Sequence, residues 1–276
     1  MSSRIPVPDG CGAIEGEGLT LIAPEEELAE LEQAGLHRLR SWSATAGTGH
    51  VGPGRGAVTR FELPSGRRLI LKQLRRGGMA ARFRNNRFRG SSRLLANLTL
   101  PVELARRGVI TPEPACLLLQ EGPPGKFQGW LATRELDNAM DAMTWLGHAG
   151  PTGPGLLDSV VRFVRTLHDA GLQHRDLNLG NLMVKQGEAV GEAVAVLDLD
   201  GARLHGGGLP FRLRLISLWR LERSMVKRFG GNGPLGTDYR RSWAAAYSAG
   251  DDALARRILR WWPAGRILLA VHRAGW

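Results

Sequence analysis

The sequence predicts an α+β fold in two lobes, a small N-terminal lobe built on an antiparallel β-sheet and a mainly helical C-terminal lobe. Three observations predict it. Within residues 49–137, short β-prone runs alternate with Gly/Pro turns, the pattern of hairpins. In the second half apolar residues recur at helical spacing instead, as over 156–170 and 211–225. Between those two helices lies one polar loop, His174-Arg175-Asp176-Leu177-Asn178-Leu179-Gly180-Asn181, followed by an apolar strand that stops at Asp198-Leu199-Asp200. The expected division is a leader with a short helix (1–48), a sheet lobe (49–137) and a helical lobe ending in basic helices (138–276).

The 276 residues are enough for one large domain or two lobes sharing a cleft. The two cysteines, Cys11 and Cys116, have neither ligand nor disulfide spacing, which suits a reducing cytoplasm. Met1-Ser2-Ser3-Arg4-Ile5-Pro6 leads into no apolar core, and no stretch has the length and apolarity of a membrane span, so a soluble or peripheral protein is expected. The 37 Lys+Arg against 26 Asp+Glu give a net charge of +11, a field that attracts anions such as nucleic acid, an anionic membrane face or phosphorylated sugars. No nucleic-acid-binding motif accompanies that charge, so none of these partners is expected to be a nucleic acid.

In chain order, Pro24 before Glu25-Glu26-Glu27 suits a helix start, with Leu28, Leu31 and Leu36 as its apolar face. A glycine-rich loop follows, with Gly52, Gly54 and Gly56, where bare backbone N–H groups can approach phosphates. Phe61-Glu62-Leu63 and Leu69-Ile70-Leu71-Lys72 flank a Pro64-Ser65-Gly66 turn as a hairpin, and Lys72 ends its second strand as a cation for phosphate. From Arg75 to Arg93 the chain is strongly basic, and the arginine forks suit an anionic ligand. Pro101 is expected to start or kink the helix between Ser91 and Arg107, in which Glu103 is the one acidic candidate to pair with Lys72. Glu135-Leu136-Asp137 reads as the hinge between lobes. Gly171 is a C-cap for the helix before the polar loop, and His168 in that helix reads as a packed scaffold residue. Arginines and tryptophans over 254–276 suit either a closing helix or a membrane interface, and Pro263 is expected to break that segment.

The loop reads H-R-D-L-x-x-x-N and resembles the catalytic loop of the protein-kinase superfamily. Phosphoryl transfer needs positioning and charge neutralisation, and the residue types suit both. Asp176 can orient an attacking hydroxyl and take its proton. Asn181 and Asp198 offer the oxygen donors that magnesium prefers, and Asp200 can support a second metal. No A-P-E sequence appears, and Gly206-Gly207-Gly208 leaves little room for an activation segment, which argues against a peptide acceptor.

Further residues narrow the resemblance. Gly54-Arg55-Gly56, Leu71-Lys72 followed by Arg75-Arg76-Gly77-Gly78, and Gly108-Val109-Ile110-Thr111-Pro112 join the catalytic loop, Leu197-Asp198-Leu199-Asp200 and Arg220-Leu221-Glu222-Arg223-Ser224. Over residues 52–229 the chain is similar to the bacterial lipopolysaccharide sugar kinases, the Kdo kinase and heptose kinase group. The resemblance implies ATP and Mg2+ as cofactors and an anionic sugar or glycolipid acceptor. It also implies a cytoplasmic location, peripheral on the anionic inner-membrane face. The expected site has Asp176 as base and Lys72 as phosphate clamp, with Gly52, Gly54, Gly56 and Glu135 around the nucleotide. Asn181, Asp198 and Asp200 are at the metal, and Arg75, Arg76 and Asn178 at the acceptor. An aminoglycoside-type or protein Ser/Thr kinase shares the catalytic groups with another acceptor, whereas a basic, non-catalytic scaffold needs none of them.

Overall fold

The apolar run at 114–119 is buried on both faces in the computed structural model, which describes residues 5–38, 58–75, 86–149, 154–185, 194–229 and 239–273. The chain divides into two units, residues 1–103 with 112–135 and residues 104–111 with 136–276.

The first unit is an antiparallel sheet of β1 (Cys11–Gly16), β2 (Leu19–Pro24), β3 (Val58–Glu62), β4 (Arg68–Gln73), β5 (Phe88–Arg89), β6 (Pro114–Glu121) and β7 (Lys126–Arg134). Their order is β1-β2-β6-β7-β4-β3, with β5 also on β7. Because strand side chains alternate between faces, β6 feeds two cores. Cys116 and Leu118 join Leu21, Leu31, Leu36, Phe61, Leu69 and Leu71 on one face. Leu117 and Leu119 join Ile22, Phe88, Leu94, Leu98 and Phe127 on the other, under α2 (Ser92–Arg106). Each fully buried Leu contributes roughly 2 kcal/mol of transfer free energy, so the sheet is held from both sides.

Residues 11–24 of the expected leader are two strands of this sheet. Glu17 (φ 48) and Gly18 (φ 77) form a two-residue turn between Gly16 and Leu19, and β2 pairs with β6 through Leu19↔Gln120 to Ile22↔Leu117. Positive φ at both turn positions matches the strand twist. The segment then runs through a 3-10 turn (Glu25–Glu27) into α1 (Leu28–Gln33). Arg67, in the β3–β4 turn, holds this segment through ion pairs with Glu27 and Glu30. The Ser65 hydroxyl and Arg67 pull the Glu30 pKa down to about 2.

The second unit carries β8 (Ala139–Asp141), α3 (Ala142–Ala149), α4 (Pro154–Asp169), β9 (Leu172–Gln173), a 3-10 turn (Leu179–Asn181), β10 (Leu182–Lys185), β11 (Val194–Val196), β12 (Arg203–Leu204), α5 (Phe211–Phe229), α6 (Tyr239–Ser248) and α7 (Asp252–Arg273). Its strands form a β11-β10-β8 sheet and a β12-β9 pair. Val160, Val161, Val164 and Leu167 bury one face of α4, and Trp243, Tyr247, Ile258 and Trp262 are buried from α6 and α7. Gly171 ends α4 at φ 84, and a Cβ there would lie 2.5 Å from the Gly207 carbonyl oxygen, so only glycine fits.

One proline behaves differently from expectation. Pro101 lies inside α2, whereas α7 runs through Pro263 instead of breaking there. At Pro263 the neighbouring Trp262 donates its indole N–H to the buried Glu222 at 2.7 Å, and tertiary packing of this kind outweighs a local helix penalty. No helix among the described residues is long and apolar enough to cross a membrane.

Candidate active site

Strand register positions the acidic groups. β10 and β11 pair Leu182 with Val196, and the next rung outward is the Leu197 N–H donating to the Asn181 carbonyl at 2.8 Å. Asn181 and Asp198 therefore sit at the same end of one ladder. The Val196 N–H donates to the Ile110 carbonyl at 3.0 Å, which anchors β11 on its other side.

The polar loop at 174–181 is bound to that ladder by its histidine. The Asp176 N–H donates to His174 Nδ1 at 3.2 Å, so Nδ1 is the acceptor nitrogen. Nε2 then carries the proton and donates to the Leu197 carbonyl at 2.8 Å. Burial keeps this imidazole neutral by lowering its pKa, against the hydrogen bond to Leu197 and the charges of Asp198 and Asp176. One ring thus joins the backbone of Asp176 to the residue before Asp198. Sequence reading gave His174 no separate role, although the motif contains it; its partner lies 23 positions away.

The two asparagines complete the loop. Asn181 Nδ2 donates to the Asp176 carbonyl at 2.9 Å, which commits the nitrogen end of its amide to the loop. Asn178, expected at the acceptor, uses both ends of its amide on the loop itself. Its Nδ2 donates to the Asp176 carbonyl and its Oδ1 accepts the Gly180 N–H, each at 2.9 Å. The Ser224 hydroxyl of α5 accepts the Leu179 N–H at 3.2 Å and fixes the loop from below. The Asp176 and Asp198 side chains are exposed, and Asp200 is partly buried two residues on. Asp198 holds φ at 58, in the left-handed region that few residues besides glycine, Asn and Asp enter, and such positions gather at functional sites.

The remaining expected residues belong to the first unit or lie outside the description. Lys72 is an exposed side chain of β4, with Val58 and Leu131 as its Cα partners on either side. Glu103 is partly buried on α2. The Glu135 N–H donates to the Arg68 carbonyl at 2.9 Å. Its carboxylate pairs with Arg60 at 2.5 Å and Arg68 at 3.6 Å. Arg75 is exposed, whereas Gly52, Gly54, Gly56 and Arg76 lie outside the described residues.

The donor set suits a hard cation. Among the described residues no three His, Cys, Asp or Glu side chains gather as a cage. An amide oxygen and one or two carboxylates are the small protein share that magnesium takes when phosphates and water supply the rest.

These elements define a kinase-like phosphotransferase fold. The chain superposes on a solved structure of WaaP in complex with acyl carrier protein with a TM-score of 0.57 at 18% identity, covering 84% of this chain and 90% of that one. On the amicoumacin kinase hAmiN the TM-score is 0.54 at 12% identity, covering 88% and 89%. A 3-deoxy-D-manno-octulosonic acid kinase of Xanthomonas campestris pv. campestris is 31% identical over 222 residues, 78% of this chain and 84% of the relative. Residues 50–246 match the profile of the lipopolysaccharide kinase (Kdo/WaaP) family. The chain belongs to that family, and it is an ATP-dependent sugar kinase.

Proposed function

We propose that the chain phosphorylates a hydroxyl of 3-deoxy-D-manno-octulosonic acid (Kdo) in the lipopolysaccharide inner core, and that Asp176 is the base. The observation that carries the site is the His174 ring, which bonds to the Asp176 N–H and to the Leu197 carbonyl and so holds base and metal ligand in one rigid frame. The choice of Kdo over heptose is supported by the relatives at 31% identity from Xanthomonas campestris and Xanthomonas oryzae, which are Kdo kinases.

In this reading the acceptor hydroxyl hydrogen-bonds to the Asp176 carboxylate. Its oxygen bonds to the γ-phosphorus, the bond to the bridging oxygen breaks, and the proton passes to Asp176 as ADP leaves. Asn181 Oδ1 and the Asp198 carboxylate would hold magnesium, with Asp200 supporting a second ion, and the metal would supply neutralisation of phosphate charge. Lys72 meets the phosphates with the loop of Gly52, Gly54 and Gly56, and Glu135 meets the base. Arg75 and Arg76 receive the anionic acceptor. The work is placed on the cytoplasmic side, with the basic surface toward the anionic inner membrane.

The test is incubation with labelled ATP and lipid A precursors bearing Kdo, with and without heptose. Label on Kdo in both supports the reading; label only in the heptose-bearing acceptor, on heptose, moves the assignment to that sugar.

A further inference from the structure

We propose that Arg220 and Arg223, on the α5 face beside the catalytic loop, bind the carboxylate of the acceptor sugar acid and select for it. This rests on the Kdo reading above and names its specificity-determining side chains.

The placement follows from helix geometry. Residues 220, 223 and 224 share one face of α5, being three and four apart. Ser224 accepts the Leu179 N–H, so this face abuts the catalytic loop. The opposite face is occupied, since Glu222 is fully buried and accepts from Tyr239, Arg240 and the Trp262 indole. Arg220 and Arg223 are both partly buried.

The Arg220 charge is poorly matched. Arg214 and Arg240 of the same unit each have a carboxylate, Asp169 at 2.6 Å and Glu222 at 2.6 Å. The Arg220 pKa is lowered, first by burial and then by repulsion from Arg223, with Arg175 adding to it and Asp176 opposing the shift. With Arg223 and Arg175 acting against it and Asp176 for it, the Arg220 guanidinium sits in a positive setting that an anion would complete. A hydroxyl reacting at Asp176 brings the rest of its sugar ring against that setting. The relatives act on a sugar acid, and its carboxylate matches the guanidinium fork.

Steady-state kinetics test this with a Kdo-bearing lipid A precursor and the same acceptor with its carboxylate converted to the primary amide. Wild-type enzyme should lose on the order of tenfold to a hundredfold in acceptor kcat/KM on the amide, with the ATP KM within about twofold. Arg220→Gln and Arg223→Gln should show a similar loss on the carboxylate acceptor and little further loss on the amide, while Arg220→Lys recovers part of it. Equal wild-type rates on the two acceptors overturn the proposal without any variant being needed. So does a loss in the variants that appears in the ATP KM or is the same size on both acceptors. A wild-type enzyme that labels the Kdo acceptors nowhere overturns the Kdo reading and this inference together. Labelling that ignores the carboxylate overturns the inference alone.

Discussion

The imidazole of His168 is almost wholly enclosed, with Nδ1 2.7 Å from the Tyr247 hydroxyl, which itself accepts from Arg214 at 3.4 Å. Burial, aided by the Arg214 charge, drives its pKa down to about 3 from an ordinary 6.5. Between those values the unfolded chain binds a proton that the folded protein refuses, so stability falls as pH drops through that window, by up to about 1.4 kcal/mol per pH unit. Melting temperatures from pH 7 to pH 4 should therefore fall more steeply for the wild type than for His168→Gln; parallel curves would show the imidazole does not carry the effect. At Asp176, replacement by Ala should reduce turnover roughly 10²- to 10⁴-fold while ATP binding persists, measured by single-turnover kinetics and nucleotide titration. The packing role of His168, whose ring is buried, was legible in the chain. The link from His174 to Leu197 was not, because it depends on strand pairing that no local pattern encodes.

Three elements meet at Glu222. From α5 its carboxylate accepts the Tyr239 hydroxyl and Arg240 of α6 and the Trp262 indole of α7. Burial, with Glu222 beside it, raises the Tyr239 pKa, so the phenol stays a donor. Replacing Glu222 with Ala leaves three buried or half-buried donors without an acceptor and should destabilise the protein by about 3 kcal/mol, read as a lower urea midpoint. The same contacts explain why Pro263 was misleading. A helix-breaking residue is a local signal, and α7 is held by distant partners. The β1–β2 hairpin was missed for the complementary reason. Its Glu17-Gly18 turn is a weak cue, and β2 shows its value only against β6. The β3–β4 hairpin, with both strands and the turn contiguous, was plain in the sequence.

The whole molecule is a basic kinase-like protein, and its fold class was readable because the strand-rich and helix-rich halves are consecutive in the chain. Ligand binding to the folded state should be visible globally. At magnesium and ATP concentrations a hundredfold above the dissociation constant, stabilisation of about 2.7 kcal/mol is expected in thermal melts. Asp198→Asn should keep the fold and lose the part of that shift that depends on magnesium. An unchanged magnesium dependence would remove Asp198 from the metal.

That variant is cleaner than most because of the backbone beneath it. At φ 58 the peptide is turned in a sense that Asn shares with Asp at little strain, and that a β-branched or bulky side chain resists. Charge can thus be erased at this spot without bending the chain. Lengthening to Glu, in contrast, would both displace the oxygens and force the main chain, so a dead Asp198→Glu enzyme would say nothing about the ion.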